Sequence, residues 1–178
     1  MRYPKIFRIH IDSWPKVGKH YLTDYEIELL LSKEVIIEEK IDGKLQEYDK
    51  EGYFIFAEFM KYKHSIYYDD LPSYEIGLDI YEGTKFLNYD EKCIIFRELN
   101  IHTVPILYRG IANIGKIQEF IDKKSNFSDM KQEGIVIKNY ELQLFGKIVN
   151  PEFEDKIDKH WSELPIIRNK INAKTKIP

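Results

Sequence analysis

A single cysteine, Cys93, stands in the whole chain, so no internal disulfide can form and no cross-link can stabilise the fold. A reducing, cytoplasmic setting is the expectation that follows. No apolar run reaches the roughly 20 residues that a membrane-spanning helix needs. The N-terminal "MRYPKIFRIHIDSW" lacks the apolar block of a signal peptide, so no membrane association is expected. There is no internal repeat, no low-complexity tract and no Gly/Ser linker. A surplus of positive charge is missing as well: 27 Lys and Arg stand against 30 Asp and Glu, a net charge of −3. That balance denies the chain a broad electrostatic grip on nucleic acid. Any phosphate it binds must be met by a few lysines that the fold gathers. The 5 histidines are scattered without metal-ligand spacing, and His64 in "KYKHSIYY" reads as a packing or hydrogen-bonding residue.

What is present is core-forming material. Hydrophobic residues make up 43% and aromatics 14%, with 13 tyrosines and 10 phenylalanines, which argues against disorder. The length fits one domain over residues 1–178, with a helical, basic segment from about residue 155. "TDYEIELLLSKE" predicts a helix capped by Thr23, with Glu26 three residues on and Ile27, Leu30 and Leu31 on one face. "VIIEE" predicts a strand ending at Lys40, and "KLQEYDKEGYFIFAEFM" a hairpin whose aromatic second strand belongs to the core. "YEIGLDIYEG" and "TVPILYRG" read as strands. "NYDEKCIIFRELN" has helical spacing, with Cys93, Ile94, Phe96 and Leu99 apolar. "NIGKIQEFIDKKS" predicts another helix, and "EGIVIKN" with "LQLFGKIVN" a second hairpin. A helix is expected from "PEFEDKIDKHW", followed by a basic tail: Lys156, Lys159, Arg168, Lys170, Lys174 and Lys176 against Asp158 and Glu163. Strands dominate and hairpins imply antiparallel pairing, so the class is α+β, mainly antiparallel sheets flanked by helices.

Two short patterns carry chemistry: Lys40-Ile41-Asp42-Gly43, and Glu133-Gly134-Ile135-Val136-Ile137-Lys138 with Lys147 close behind in "FGKIVNPEF". At ordinary residue frequencies the first arises by chance in about one chain in thirty of this length and the second in about one in several hundred. Their joint appearance in this order, each on a predicted strand, needs an explanation. Each residue also has an ordinary reading: Lys40 as a solvated strand-end lysine before a plain turn, Lys138 and Lys147 as surface lysines, Glu58 as the polar face of its strand.

The pair of patterns resembles motifs I and IV of the covalent nucleotidyltransferases, the superfamily of ATP-dependent DNA and RNA ligases and mRNA capping enzymes. "AEFMKYKHSIYYDDLPSY", "LDIYEG" and "GKIVNPEFEDK" are similar to further stretches of RNA ligases of the RNA ligase 2 type, so the likeness runs from about residue 23 to 156. It implies an ATP-grasp-like nucleotidyltransferase domain, with ATP and Mg²⁺ or Mn²⁺ as cofactors. Lys40 would be the nucleophile that forms lysyl-AMP. An ammonium is no nucleophile, so Lys40 would have to be deprotonated, by desolvation at the strand end or by neighbouring cations. Lys138 and Lys147 would meet phosphoryl oxygens, and Glu133 would hold the metal. Glu58 would accept from the ribose hydroxyls, Glu39, or as second choice Glu38, would lie beside adenine, Asp42 would shape the turn, and Gly43 would let backbone approach the nucleotide.

The chain also departs from that pattern. Only 14 residues separate Gly43 from Glu58 and none is arginine, where the family carries an arginine-bearing motif. Leu78 stands where an aromatic residue often stacks on the base, Leu45 at a common asparagine position, and Val149 in place of a second phosphate-binding lysine. The expected partner is nucleic acid, RNA with 5′-phosphate and 3′-hydroxyl ends. The expectation is a monomer, working with or without an accessory protein that supplies end-binding surface, since 178 residues leave little room for a separate nucleic-acid-binding domain. The rival readings are nucleotide transfer to another acceptor and a non-catalytic nucleotide- or RNA-binding module.

Overall fold

The computed structural model describes residues 2–14, 16, 20–50, 52–154 and 166–172. A short strand β1 (Phe7–Arg8) precedes helix α1 (Asp24–Leu31). The helix starts where the sequence requires: the Thr23 side chain accepts from the Glu26 amide and the Glu26 carboxylate accepts from the Thr23 amide, a closed capping box. Strand β2 (Val35–Glu39) follows, buried at all five positions. The hairpin β3 (Lys44–Lys50) and β4 (Tyr53–Phe59) comes next, turning around Gly52 at φ +94°. Then come β5 (Glu75–Glu82), β6 (Lys85–Phe86), α2 (Tyr89–Glu98), β7 (His102–Thr103) and β8 (Ile106–Gly110). A short α3 (Ile114–Gln118), the hairpin β9 (Gly134–Asn139) and β10 (Leu144–Val149), and one turn of helix, α4 (Pro151–Glu154), complete the order.

These strands form two five-stranded sheets. One has the order β1-β10-β9-β2-β8, antiparallel except for β1 beside β10. The other has the order β3-β4-β5-β6, with β7 alongside β5 in parallel. The α+β class with mainly antiparallel pairing is what the sequence predicts. Helix α1, helix α3 and the turn after it pack Leu30, Ile117, Phe120 and Ile121 against the first sheet. Helix α2 packs Phe96 against Ile55 and Ile80 of the second sheet. Between the sheets Phe56, Phe86 and Phe145 meet, with the Phe86 and Phe145 ring centroids 5.1 Å apart. None of the described helices is long and apolar enough to cross a membrane.

Three expectations are corrected, and a fourth falls mostly outside the described residues. The buried stripe of α2 is not the one its apolar residues suggest: Ile94 is 53% exposed, whereas Lys92, one turn before Phe96, is fully buried. Helix α3 stops at Gln118, because the buried Gln132 amide donates to the carbonyls of Phe120 and Ile121 and draws the chain out of the helix. "TVPILYRG" divides between two sheets at Val104-Pro105, where proline has no donor for a ladder. The C-terminal helix is described only at Pro151–Glu154. Residues 155–165 and 173–178, with Lys156, Lys159, Lys174 and Lys176, lie outside the described residues. The stretch 166–172, which holds Arg168 and Lys170, runs back along the 60–74 loop. There the buried Asn169 accepts from the Tyr68 amide and donates to the Met60 carbonyl.

Candidate active site

Strand β2 runs through the middle of the first sheet, so its last residues are held on both sides. Glu39 is in register with Ile135, and the Lys40 amide extends the ladder by donating to the Gly134 carbonyl at 2.9 Å. That one bond sets Lys40 beside Glu133, and Lys40 Nζ lies 2.6 Å from Glu133 Oε2. Gly134 has to be glycine here, since a Cβ would sit 2.0 Å from the Ile148 carbonyl oxygen.

The turn after Lys40 is tied down at Asp42 and Gly43. Asp42 Oδ2 accepts from the Ser65 amide at 3.0 Å, and the Asp42 amide donates to the Tyr68 hydroxyl at 3.2 Å. The Gly43 amide donates to Glu58 Oε1 at 2.9 Å. A side chain on Gly43 would lie 2.5 Å from the Phe59 carbonyl oxygen, so the close approach this glycine permits is to the β4 backbone. Lys40, Asp42 and Glu58 open on one cavity of about 300 Å³ between the two sheets. Val136, Lys138 and Lys147 line it from β9 and β10, and Leu45 and Leu78 from the second sheet. Lys147 is paired across the ladder with Val136, two residues from Lys138, so the three share one face. The convergence of Lys40, Lys138 and Lys147 on one cleft is therefore a matter of register.

The electrostatics differ from the sequence expectation at two lysines. Burial pulls the Lys40 amine down, but Glu133 and Asp42 outweigh it and hold it above its usual value. The lysine's close neighbours are carboxylates rather than cations, so in the free protein it is charged. Burial raises the Glu133 carboxyl despite Lys40, and burial lifts Glu58 to about 7 against the pull of the Gly43 amide and Lys40. Lys138 is 2% exposed and its amine is spoken for: it lies 2.6 Å from Glu38 Oε2 and 2.8 Å from Asp79 Oδ2, and donates to the Leu78 carbonyl at 3.3 Å. Glu39 also borders this cavity, and its carboxylate accepts from Ser125 Oγ, at 2.5 Å, and from the Asn126 amide and side chain.

Behind Lys138 lies a buried network with no trace in the two motifs. Lys92 donates to Glu38 at 2.8 Å, to Asp79 at 3.3 Å and to the Leu78 carbonyl at 2.6 Å. That carbonyl is available because Leu78 is the extra residue of a β-bulge, with Phe56 opposite Asp79 and Ala57 opposite Gly77. Asp79 also accepts from the hydroxyls of Tyr140 and Tyr3. Burial pushes the Asp79 carboxyl up, but Lys138 and Lys92 outweigh it and hold it at about 2. Two cations meet two anions, so the group is neutral and internally satisfied. Lys92 could have been noticed as a charge in line with Phe96 on a helical face. Tyr3 and Tyr140 carry no such sign.

Apolar walls with a few converging polar groups suit a small organic ligand, and the lysines suit a phosphorylated one. Among the described residues no set of three or more carboxylate, histidine or cysteine side chains gathers as a metal cage. A divalent ion would therefore use Glu133 together with phosphate oxygens.

Comparison with known proteins adds three findings. The family model described as RNA ligase matches residues 37–151, which include Lys40, Glu58, Glu133, Lys138 and Lys147. Solved structures similar in fold include Naegleria gruberi RNA ligase with PPi, at TM-score 0.59 and 16% identity, covering 87% of this chain and 61% of that one. A mutant of the same ligase with ATP and Mn gives TM-score 0.58 and 17% identity over 76% and 55%. A putative ATP-dependent DNA ligase from Aquifex aeolicus gives TM-score 0.52 and 17% identity over 83% and 49%. The chain thus spans about half to three-fifths of the length of these ligases. No curated protein matches it.

Proposed function

The chain belongs to the RNA ligase family, and from that premise we propose that it is an ATP-dependent nucleotidyltransferase that becomes adenylylated on Lys40. AMP would then pass to a 5′-phosphorylated RNA end for joining to a 3′-hydroxyl. The observation that carries this reading is the meeting of Lys40 with Glu133 at 2.6 Å, Lys40 itself lining the cavity together with Glu58, Lys138 and Lys147.

In the first step Lys40 Nζ, having given one proton to solvent, attacks the α-phosphorus in line and loses a second to solvent as the N–P bond forms. The bond to the bridging oxygen breaks, pyrophosphate leaves, and a phosphoramidate remains on the lysine. Because Glu133 keeps the amine charged in the free protein, this step requires that pair to open. A divalent cation arriving with the triphosphate would draw on the Glu133 carboxylate and offset phosphate charge. Lys147 and Lys138 line the cavity from the same face of the hairpin; Lys147 would meet the phosphates, whereas the charge of Lys138 is already balanced by Glu38 and Asp79. Glu58, with its carboxyl near 7, offers the ribose both an acceptor and, when protonated, a donor. A 5′-phosphate oxygen of RNA then attacks the adenylyl phosphorus, the P–N bond breaks and Lys40 recovers a proton. Finally the 3′-hydroxyl loses its proton to solvent, attacks the 5′-phosphorus and expels AMP.

A second reading keeps the first step and changes the acceptor. It is favoured by the β3–β4 hairpin, which fills the stretch after Gly43 and contains no arginine to grip a strand end. One experiment separates the readings. The protein is incubated with α-labelled ATP and a divalent metal, denatured and examined for acid-labile label. Label that Lys40→Ala abolishes, and that moves to 5′-phosphorylated RNA, supports the ligase. Label that moves only to other acceptors supports the second reading. Absence of any adduct leaves a non-catalytic binding module and sinks the proposal.

A further inference from the structure

The cavity beside Lys40 has a feature that the two motifs do not supply. Its walls at β5 and β9 are aliphatic, Leu78 facing it from one sheet and Val136 from the other. Among the described residues that line it, Tyr3 carries the only aromatic ring. That ring comes from the segment before β1, outside the span of residues that the family model matches.

The Tyr3 ring is fixed from several directions. Its hydroxyl donates to Asp79, which is itself fixed by Lys138, Lys92 and Tyr140. Its backbone amide donates to Glu47 Oε1 of β3 at 2.9 Å. Its ring packs on Phe56, with centroids 4.8 Å apart, and edge-on against Phe86 at 5.9 Å. Burial and the Asp79 carboxylate raise the phenol well above its ordinary value, so it stays a neutral donor. A side chain held so firmly forms a standing wall of the cavity. An aromatic wall in an otherwise aliphatic cavity matches a flat π-surface such as a nucleobase, and stacking of that kind is tolerant of which base it meets.

We propose that Tyr3 is the base-binding residue of this cavity: its ring gives the purine of the nucleoside triphosphate the aromatic contact that Leu78 cannot. The inference rests on the nucleotidyltransferase reading of the same site. The test compares two ligands in a Lys40→Ala background, which prevents covalent turnover: ATP, which has a base, and inorganic tripolyphosphate, which has none. Calorimetric titration is expected to show Tyr3→Leu weakening ATP about tenfold while leaving tripolyphosphate unchanged. Tyr3→Phe, which keeps the ring and loses the bond to Asp79, is expected to restore ATP binding to within about threefold of the parent. The fluorescence of a 2-aminopurine nucleoside triphosphate should be quenched on binding to the parent and recover in Tyr3→Leu. Unchanged ATP affinity in Tyr3→Leu overturns the inference, and so does an equal loss for both ligands, which would mark a purely structural role. If unsubstituted protein forms the labelled adduct and either result is found, only this inference fails. If it forms no adduct and the Lys40→Ala protein binds no ATP, both fall together.

Discussion

At the scale of single residues, the molecule keeps charge inside only where it can neutralise it. Lys92 illustrates this, because its ammonium has three protein acceptors and no exposure. Removing one member of such a group leaves the others buried without a partner. Lys92→Met is expected to cost about 3–5 kcal/mol in denaturant unfolding. Combining it with Glu38→Gln should cost less than the two changes summed, since they share a network; strict additivity would argue against the coupling. Glu58 gives a different prediction. Its carboxyl lies at about 7 in the folded protein against an ordinary 4.5, so the folded state holds an extra proton between those values. Stability should therefore fall as pH rises from about 4.5 to about 7 and level off above. Glu39 and Glu133, also raised by burial, act in the same direction. Unfolding of Glu58→Gln measured across that range should show a shallower fall; an identical slope would refute the assignment.

At the scale of elements, local chemistry and long-range packing share control unevenly. Helix α1 was legible because Thr23 and Glu26 cap it within its own first turn. Helix α3 was misread because what ends it, Gln132, is more than ten residues further on. The burial of Lys92 rather than Ile94 was hidden for a related reason: the face that α2 presents depends on acceptors at Glu38, Leu78 and Asp79 in two other strands. The β9–β10 hairpin offers a direct test of close packing. Gly134→Ala should push β10 away at Ile148 and destabilise the protein by about 3 kcal/mol, weakening the hold on Glu133 next to it. Gly115→Ala, where the nearest atom to a new Cβ is 3.4 Å away, makes the matched control and should be close to neutral or mildly stabilising. Equal effects of the two on thermal unfolding would contradict the contact.

At the scale of the whole molecule, an acidic chain with a lysine-lined cleft can hold a nucleotide more readily than a long polyanion. A strand that engaged Lys40 and Lys147, with Lys138 already neutralised by Glu38 and Asp79, should show a log–log salt dependence of about −1.4, at roughly −0.7 for each phosphate neutralised on a single strand. Filter binding of 5′-phosphorylated RNA between 50 and 200 mM salt measures it, and a much steeper slope would reveal a basic surface beyond the cleft. The sequence alone determined whatever is decided within a few residues: the alternation that makes strands, the α1 cap, the Asp-Gly turn, and which lysines and carboxylates are available for chemistry. Only the tertiary structure decided what surrounds them. Lys40 and Glu133 are 93 positions apart, and Lys138 meets Asp79 across 59. Strand register and a bulge bring these groups together, and at such short distances the partner, more than the residue type, sets whether an amine is charged.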